Sequence, residues 1–222
     1  EPSIQMDDQR SSVNFDSAVK WPFKLRGKHY LPTRGFSKSP FPPRRMAAMT
    51  SLMWFRDDLR LHDNQALSRA AEAAALGDAP LVAVVLDEPA YPGTRPLGGA
   101  STWWRERSLY ALARDLAGRG VELIRAAGDA REEIPRLAAE LGATTVTWTR
   151  RYHGPLREVD ASVKETLTSQ GTTATSLPGF TLVEPWEVTN GQGQPYKVFT
   201  PFSKAAASQV AGDEPELSLI HI

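Results

Sequence analysis

The sequence predicts an α/β fold: a doubly wound, Rossmann-like five-stranded parallel sheet with helices on both faces. Three observations carry that expectation. From Met49 onward, short apolar strands alternate with amphipathic helices, the order that builds parallel βαβ units with right-handed crossovers. One strand candidate, "PLVAVVLDE", is apolar almost without a break, as a strand covered on both faces must be. Charged and aromatic residues then gather just after the first and fourth strand candidates, where an open α/β sheet receives ligands.

The elements follow in order. "SLMWF" is the first strand, and "DNQALSRAAEAAALGD" is a helix with Asp63 or Asn64 as N-cap and Gly77 after its end. The strand "PLVAVVLDE" leads through the loop "PAYPGTRPLGGA" to a long helix, "STWWRERSLYALARDLAGRG", with Ser101 or Thr102 as its expected cap. "VELIRAA" is a strand, "DAREEIPRLAAELGA" a helix and "TTVTWT" a strand. "LREVDASVKETLTSQG" is the next helix, and "TTATSL" a fifth, weaker strand. Prolines and glycines in "PGFTLVEPWEVTNGQGQPYKVFTPF" then break the rhythm, which marks a long ordered connection leaving the sheet.

Both ends read differently from this middle. Residues 1–48 are rich in proline and basic residues without helical or strand period, and are expected to be a disordered or spurious leader before a start at Met46 or Met49. A basic nucleic-acid arm or an organelle address is the sharper alternative for that stretch. The domain expectation is therefore an α/β domain over 49–180, the start of a connection over 181–207, and a disordered or artefactual tail over 208–222. The closing "LSLIHI" has the look of adapter read-through, which implies a truncated reading frame.

Composition narrows the function. The content is 41% hydrophobic and 23% charged, near the globular norm. No apolar run approaches the roughly 20 residues of a membrane span, and no secretory signal is visible, so a cytoplasmic protein with no membrane partner is expected. Without cysteine there are no disulfides or thiolate metal sites, and His29, His62, His153 and His221 share no ligand spacing, so no metal site is expected. Net charge is zero, but residues 1–48 hold nine Lys or Arg against four Asp or Glu, while 49–222 hold seventeen against twenty-two. The acidic part is not a convincing DNA-binding surface by itself.

Three stretches bear on chemistry. No G-x-G-x-x-G and no Walker loop is present, so the usual backbone cradle for dinucleotides or triphosphates is missing. The turn "RDDLRLHDN" packs Arg56, Asp57, Asp58, Arg60, His62 and Asp63 together. Either the arginines pair with Asp57 or Asp58 and pin the turn, or the group holds a ligand; no nucleophile accompanies it, and no catalytic residue is assigned. Trp103 and Trp104 are adjacent, so one is expected on the sheet and the other at a crevice. Trp148, Arg150, Arg151, Tyr152 and His153 crowd the end of the fourth strand, either as a solvated basic loop or as a seat for a flat anionic ring.

"WFRDDLRLHDN" followed by the βαβ pattern, then "GGASTWWRERSLYAL" and finally "PYKVFTPF", resembles the amino-terminal domain of the DNA photolyase/cryptochrome family, over about Ser51 to Ala205. The resemblance implies an α/β domain joined to a larger helical domain that holds FAD and receives damaged DNA with the pyrimidine dimer flipped out. It also implies an antenna chromophore in the α/β domain that passes excitation to reduced FAD, and a monomer. Carried onto this chain, the antenna site falls on Ser101, Trp104, Trp148, Arg151 and Arg157. Folate-using members have an Asn-Glu pair where this chain reads Pro155-Leu156, so a deazaflavin or flavin antenna is favoured over folate. By the same resemblance the charged turn is mainly a structural clasp, and Asp63→Ala is expected to cost about 1 kcal/mol as a lost cap. Repair enzyme, photoreceptor and stand-alone nucleotide-binding module remain the three functional readings.

Overall fold

The computed structural model describes residues 25–26, by their backbone, and 49–210. The expectations for the rest of the leader and for 211–222 lie outside the described residues. Strands β1 (Leu25–Arg26), β2 (Thr50–Phe55), β3 (Leu81–Asp87), β4 (Glu122–Ala127), β5 (Ala143–Thr149) and β6 (Thr173–Leu177) form one sheet in the order β1-β4-β3-β2-β5-β6. Every pair is parallel. The five expected strands are β2 to β6, and the two-residue β1 extends their edge beside β4. Helices α1 (Gln65–Leu76), α2 (Gly99–Ala117), α3 (Ala130–Glu140) and α4 (Gly154–Ser169) are the crossovers, and α5 (Phe199–Val210) follows the long connection.

The period of two along β2 divides the core. Leu52 and Trp54 pack with Ile134 and Leu137 of α3 and Val159, Val163 and Leu167 of α4. Met53 and Phe55 face the opposite way, onto Ala66, Leu67 and Ala70 of α1 and Leu109, Leu112 and Leu116 of α2. The winding reverses once: β2, β3 and β4 step outward one way, and β5 then returns to the other side of β2. The switch point lies between β2 and β5, so their carboxyl ends open a crevice there. Polar side chains fasten α1 to the sheet beneath it, Ser51 donating to Ala70 O at 2.8 Å and Thr147 to Ala66 O at 2.8 Å.

Of the two expected caps, that of α1 is one of the two residues named for it and that of α2 differs. Asn64, not Asp63, caps α1, its side chain accepting from Leu67 N at 3.0 Å. Asp63 instead has φ of 48° and gives its backbone carbonyl to Arg60. Helix α2 begins two residues earlier than expected, at Gly99, with Gly98 as N-cap and no side-chain cap. Ser101 and Thr102 are already inside its first turn. Helix α5 runs to Val210, past the expected end of the connection at 207, and none of its residues is buried.

Candidate functional site

The charged turn is built around a buried carboxylate. Asp58 is covered on all sides and accepts hydrogen bonds from Arg56 N at 3.2 Å, from Asn64 Nδ2 at 3.1 Å and from the Thr149 hydroxyl. One side chain thus joins the end of β2, the cap of α1 and the end of β5. Burial raises its pKa, and the hydrogen bonds from Thr149, Arg56 and Asn64 oppose the rise. Arg60 closes the same turn, donating to Asp63 O at 2.8 Å and to Gly179 O at 3.1 Å beyond β6.

Arg56 does not pair with its neighbours in the turn. Its side chain is fully buried on the α3/α4 face, 2.5 Å from Asp160 of α4 and 3.7 Å from Glu88 at the end of β3. Its guanidinium lies 4.0 Å above the Trp54 ring. Glu88 also accepts two bonds from Arg151, both at 2.8 Å. Burial pushes Glu88 up to about 7, against the pull of Arg56 and a hydrogen bond from Tyr91. This cluster ties β2, β3, β5 and α4 together beneath the crevice, and such long-range partners leave no signature in local sequence.

Above the clasp lies an open groove of about 810 Å³, within the range of a site for a drug-sized ligand. Its floor is the turn from Arg56 to Arg60, and its wall is the first half of α2. Ser101, Trp103, Trp104, Arg105 and Ser108 face it from that wall, joined by Leu97 and by Phe180 from the segment after β6. The two indoles are 46% and 67% exposed, with ring centroids 6.4 Å apart. Both border the groove, where one was expected on the sheet; the inward face of α2 starts only at Leu109. Arg107 stacks on Trp103 at 4.5 Å. Exposed flat rings beside guanidinium and hydroxyl groups match a planar aromatic ligand with polar edges.

The five residues carried over from the family are not brought together. Ser101 and Trp104 line the groove. Trp148 is wholly buried, its ring 5.9 Å from that of Trp54 and its Nε1 donating to Asp160 at 3.3 Å. Arg151 is engaged by Glu88, and Arg157 is exposed on the first turns of α4, outside the groove lining. Leu97, Arg105, Ser108 and Phe180 were not anticipated, and Trp103 was expected at the crevice only as an alternative to Trp104. Ser108 was within reach of helical spacing from Trp104 and Ser101, whereas Phe180 arrives through tertiary folding alone. Among the described residues no cluster of His, Asp or Glu has metal-binding geometry, and no helix is long and apolar enough to cross a membrane.

Comparison with known proteins adds an independent finding. Residues 51–218 match the DNA photolyase family. A deoxyribodipyrimidine photo-lyase of Agrobacterium fabrum is 40% identical over 164 residues, which cover 74% of this chain and 32% of that enzyme. Cryptochrome-1 of Arabidopsis thaliana is 34% identical over 169 residues, 75% of this chain and 24% of that protein. The crystal structure of a bacterial class III photolyase from Agrobacterium tumefaciens superposes with a TM-score of 0.66 at 38% identity, over 80% of this chain and 35% of that one. The chain therefore spans about a third or less of the length of these relatives.

Proposed function

This chain belongs to the DNA photolyase family, and from that premise we propose that residues 49–180 are the antenna-chromophore-binding domain of a deoxyribodipyrimidine photo-lyase, which repairs pyrimidine dimers in DNA with light. The observation that carries the reading is the groove with two exposed indoles and Phe180 at the carboxyl edge of the sheet. Trp104 and Phe180 supply stacking surfaces, and Ser101 and Ser108 supply hydroxyls for the ring's polar edge. A chromophore held there would absorb blue or near-ultraviolet light and pass on the excitation. FAD and damaged DNA belong, on this reading, to a helical domain that residues 181–207 begin to connect, in a monomeric cytoplasmic protein.

We favour a deazaflavin or flavin over folate as the antenna, on the residues of the β5–α4 loop rather than on the groove lining. Pro155 lies in the first turn of α4 and Leu156 packs against the apolar core, and neither side chain has a group that could hydrogen-bond a pterin ring. Arg157, Arg151 and Trp148 retain at most a supporting part, through the shape of the β5–α4 loop.

A cryptochrome-type photoreceptor is the second reading, favoured by the 34% identity to Cryptochrome-1. The deciding experiment expresses the product of the gene carrying this chain in cells that lack photoreactivation. Light-dependent survival after ultraviolet damage is the expected result. A flavin-bearing product that gives no rescue under light would replace the repair reading with the photoreceptor one.

A further inference from the structure

The first half of α2, which carries the groove's indole wall, lacks the usual anchors of a helix. No residue from 99 to 108 is buried, the N-cap Gly98 has no side chain to offer, and the first turn holds no acidic residue for the helix dipole. The apolar face that fixes the rest of the helix starts at Leu109. Something other than hydrophobic packing must therefore set where Ser101, Trp103 and Trp104 stand.

Four charged side chains occupy the place where the α1/α2 core ends. On that face of the sheet, Ala83 and Val85 of β3 and Leu123 of β4 are apolar, and the next inward positions toward the carboxyl edge are Asp87 and Arg125. Arg105 and Glu106 descend from α2 onto them. Arg105 donates to Asp87 at 2.6 Å and to Leu86 O at 3.2 Å. Arg125 donates to Asp87 at 2.7 Å and to both oxygens of Glu106, at 2.8 Å and 2.5 Å. The quartet is neutral as a whole, and each side chain is about a third exposed or less. Low exposure and bidentate geometry set it apart from the weak ion pairs of an open surface.

We propose that the Arg105–Asp87–Arg125–Glu106 network positions the indole wall of the groove, with Arg125, which does not line the groove, as a positioning residue for the ligand. The proposal rests on the groove's being a chromophore site, and it adds which residue sets the wall's place. Removing the Arg125 guanidinium leaves the Arg105–Asp87 pair but takes both bonds from Glu106, so the half-helix loses its tie to β4 while the core under Leu109 stays intact.

The test uses the whole 222-residue chain, with FMN as probe and amide hydrogen exchange as a readout that needs no ligand. In Arg125→Leu, exchange over 103–108 should quicken at least about tenfold while 109–117 keeps its protection, because the two halves are anchored separately. FMN affinity should fall by about tenfold or more, and Arg125→Lys should recover part of both effects. Unchanged exchange over 103–108, or equal loss of protection along all of α2, would overturn the proposal. Should Arg125→Leu not fold, Glu106→Gln, which weakens the same bonds, carries the same two readouts. A wild-type chain that binds no FMN would count against the chromophore reading, and the exchange pattern would still decide the anchor.

Discussion

Asn64 and Asp63 are adjacent and serve the turn after β2 in opposite ways. Asn64 accepts from Leu67 N and donates to Asp58 and to Arg60 O, so three bonds depend on one amide. Its replacement by alanine should cost about 2 kcal/mol, a cap of about 1 plus a similar loss at buried Asp58. Asp63 gives the turn its backbone carbonyl, which Arg60 binds, and a positive φ of 48°. Asp63→Gly should therefore be neutral, or stabilising by a few tenths of a kcal/mol, since glycine adopts that conformation without strain. Urea unfolding of the two variants beside the wild type checks both. Arg56→Met would leave Asp160 buried without its cation, and a loss of about 3–5 kcal/mol is expected by the same measurement.

Glu88 adds a pH dependence whose sign can be worked out. Its folded pKa is raised, from an ordinary 4.5 to about 7, chiefly by burial. Between those values the folded state holds a proton that the unfolded chain has released, so stability falls as pH rises from about 4.5 to about 7. Burial shifts Asp58 and Asp160 the same way. Glu88→Gln should flatten the decline by about 2 kcal/mol between pH 5 and pH 7. Unfolding free energies of both proteins at pH 5, 6 and 7 measure it, and parallel curves would exclude Glu88 as the source.

Among the elements, the strands and helices were legible because their signals are local. The unbroken apolar run of β3 and the Gly77 stop of α1 need no tertiary information. The start of α2 was misplaced because Ser101 and Thr102 have the chemistry of a cap, while the helix begins at a glycine pair whose contribution is only conformational. The clasp was legible as a cluster, but its partners were not. Arg56 finds Asp160 across 104 residues, and Arg60 finds Gly179 across 119, which no periodicity encodes. Of the site residues, Ser101 and Trp104 were reached through a motif, and Phe180 was missed because only folding brings the post-β6 segment over the groove. That segment sits tightly: a Cβ on Gly179 would lie 2.7 Å from Thr149 Cγ2. Gly179→Ala should destabilise by about 1–3 kcal/mol through overpacking and weaken groove binding, as seen in a thermal melt and an FMN titration.

At the scale of the whole molecule, two apolar layers hold the sheet, and the polar groups are concentrated where the strands end. The α3/α4 side of that edge is filled by the Arg56–Asp160–Glu88–Arg151 cluster, and the α1/α2 side is left open as the groove. Membership of the photolyase family and an open groove lined by exposed rings are the two observations behind the proposal that this edge of the sheet holds a light-absorbing ring. The most direct measurement is a titration of the purified chain with a deazaflavin, FMN and a methenyl folate, following quenching of tryptophan emission in the wild type and in Trp104→Ala. Saturable one-to-one quenching by the deazaflavin or FMN, weakened about tenfold or more in Trp104→Ala, is the predicted result. Saturable binding of none of the three, or binding that Trp104→Ala leaves untouched, would contradict the assignment of this groove.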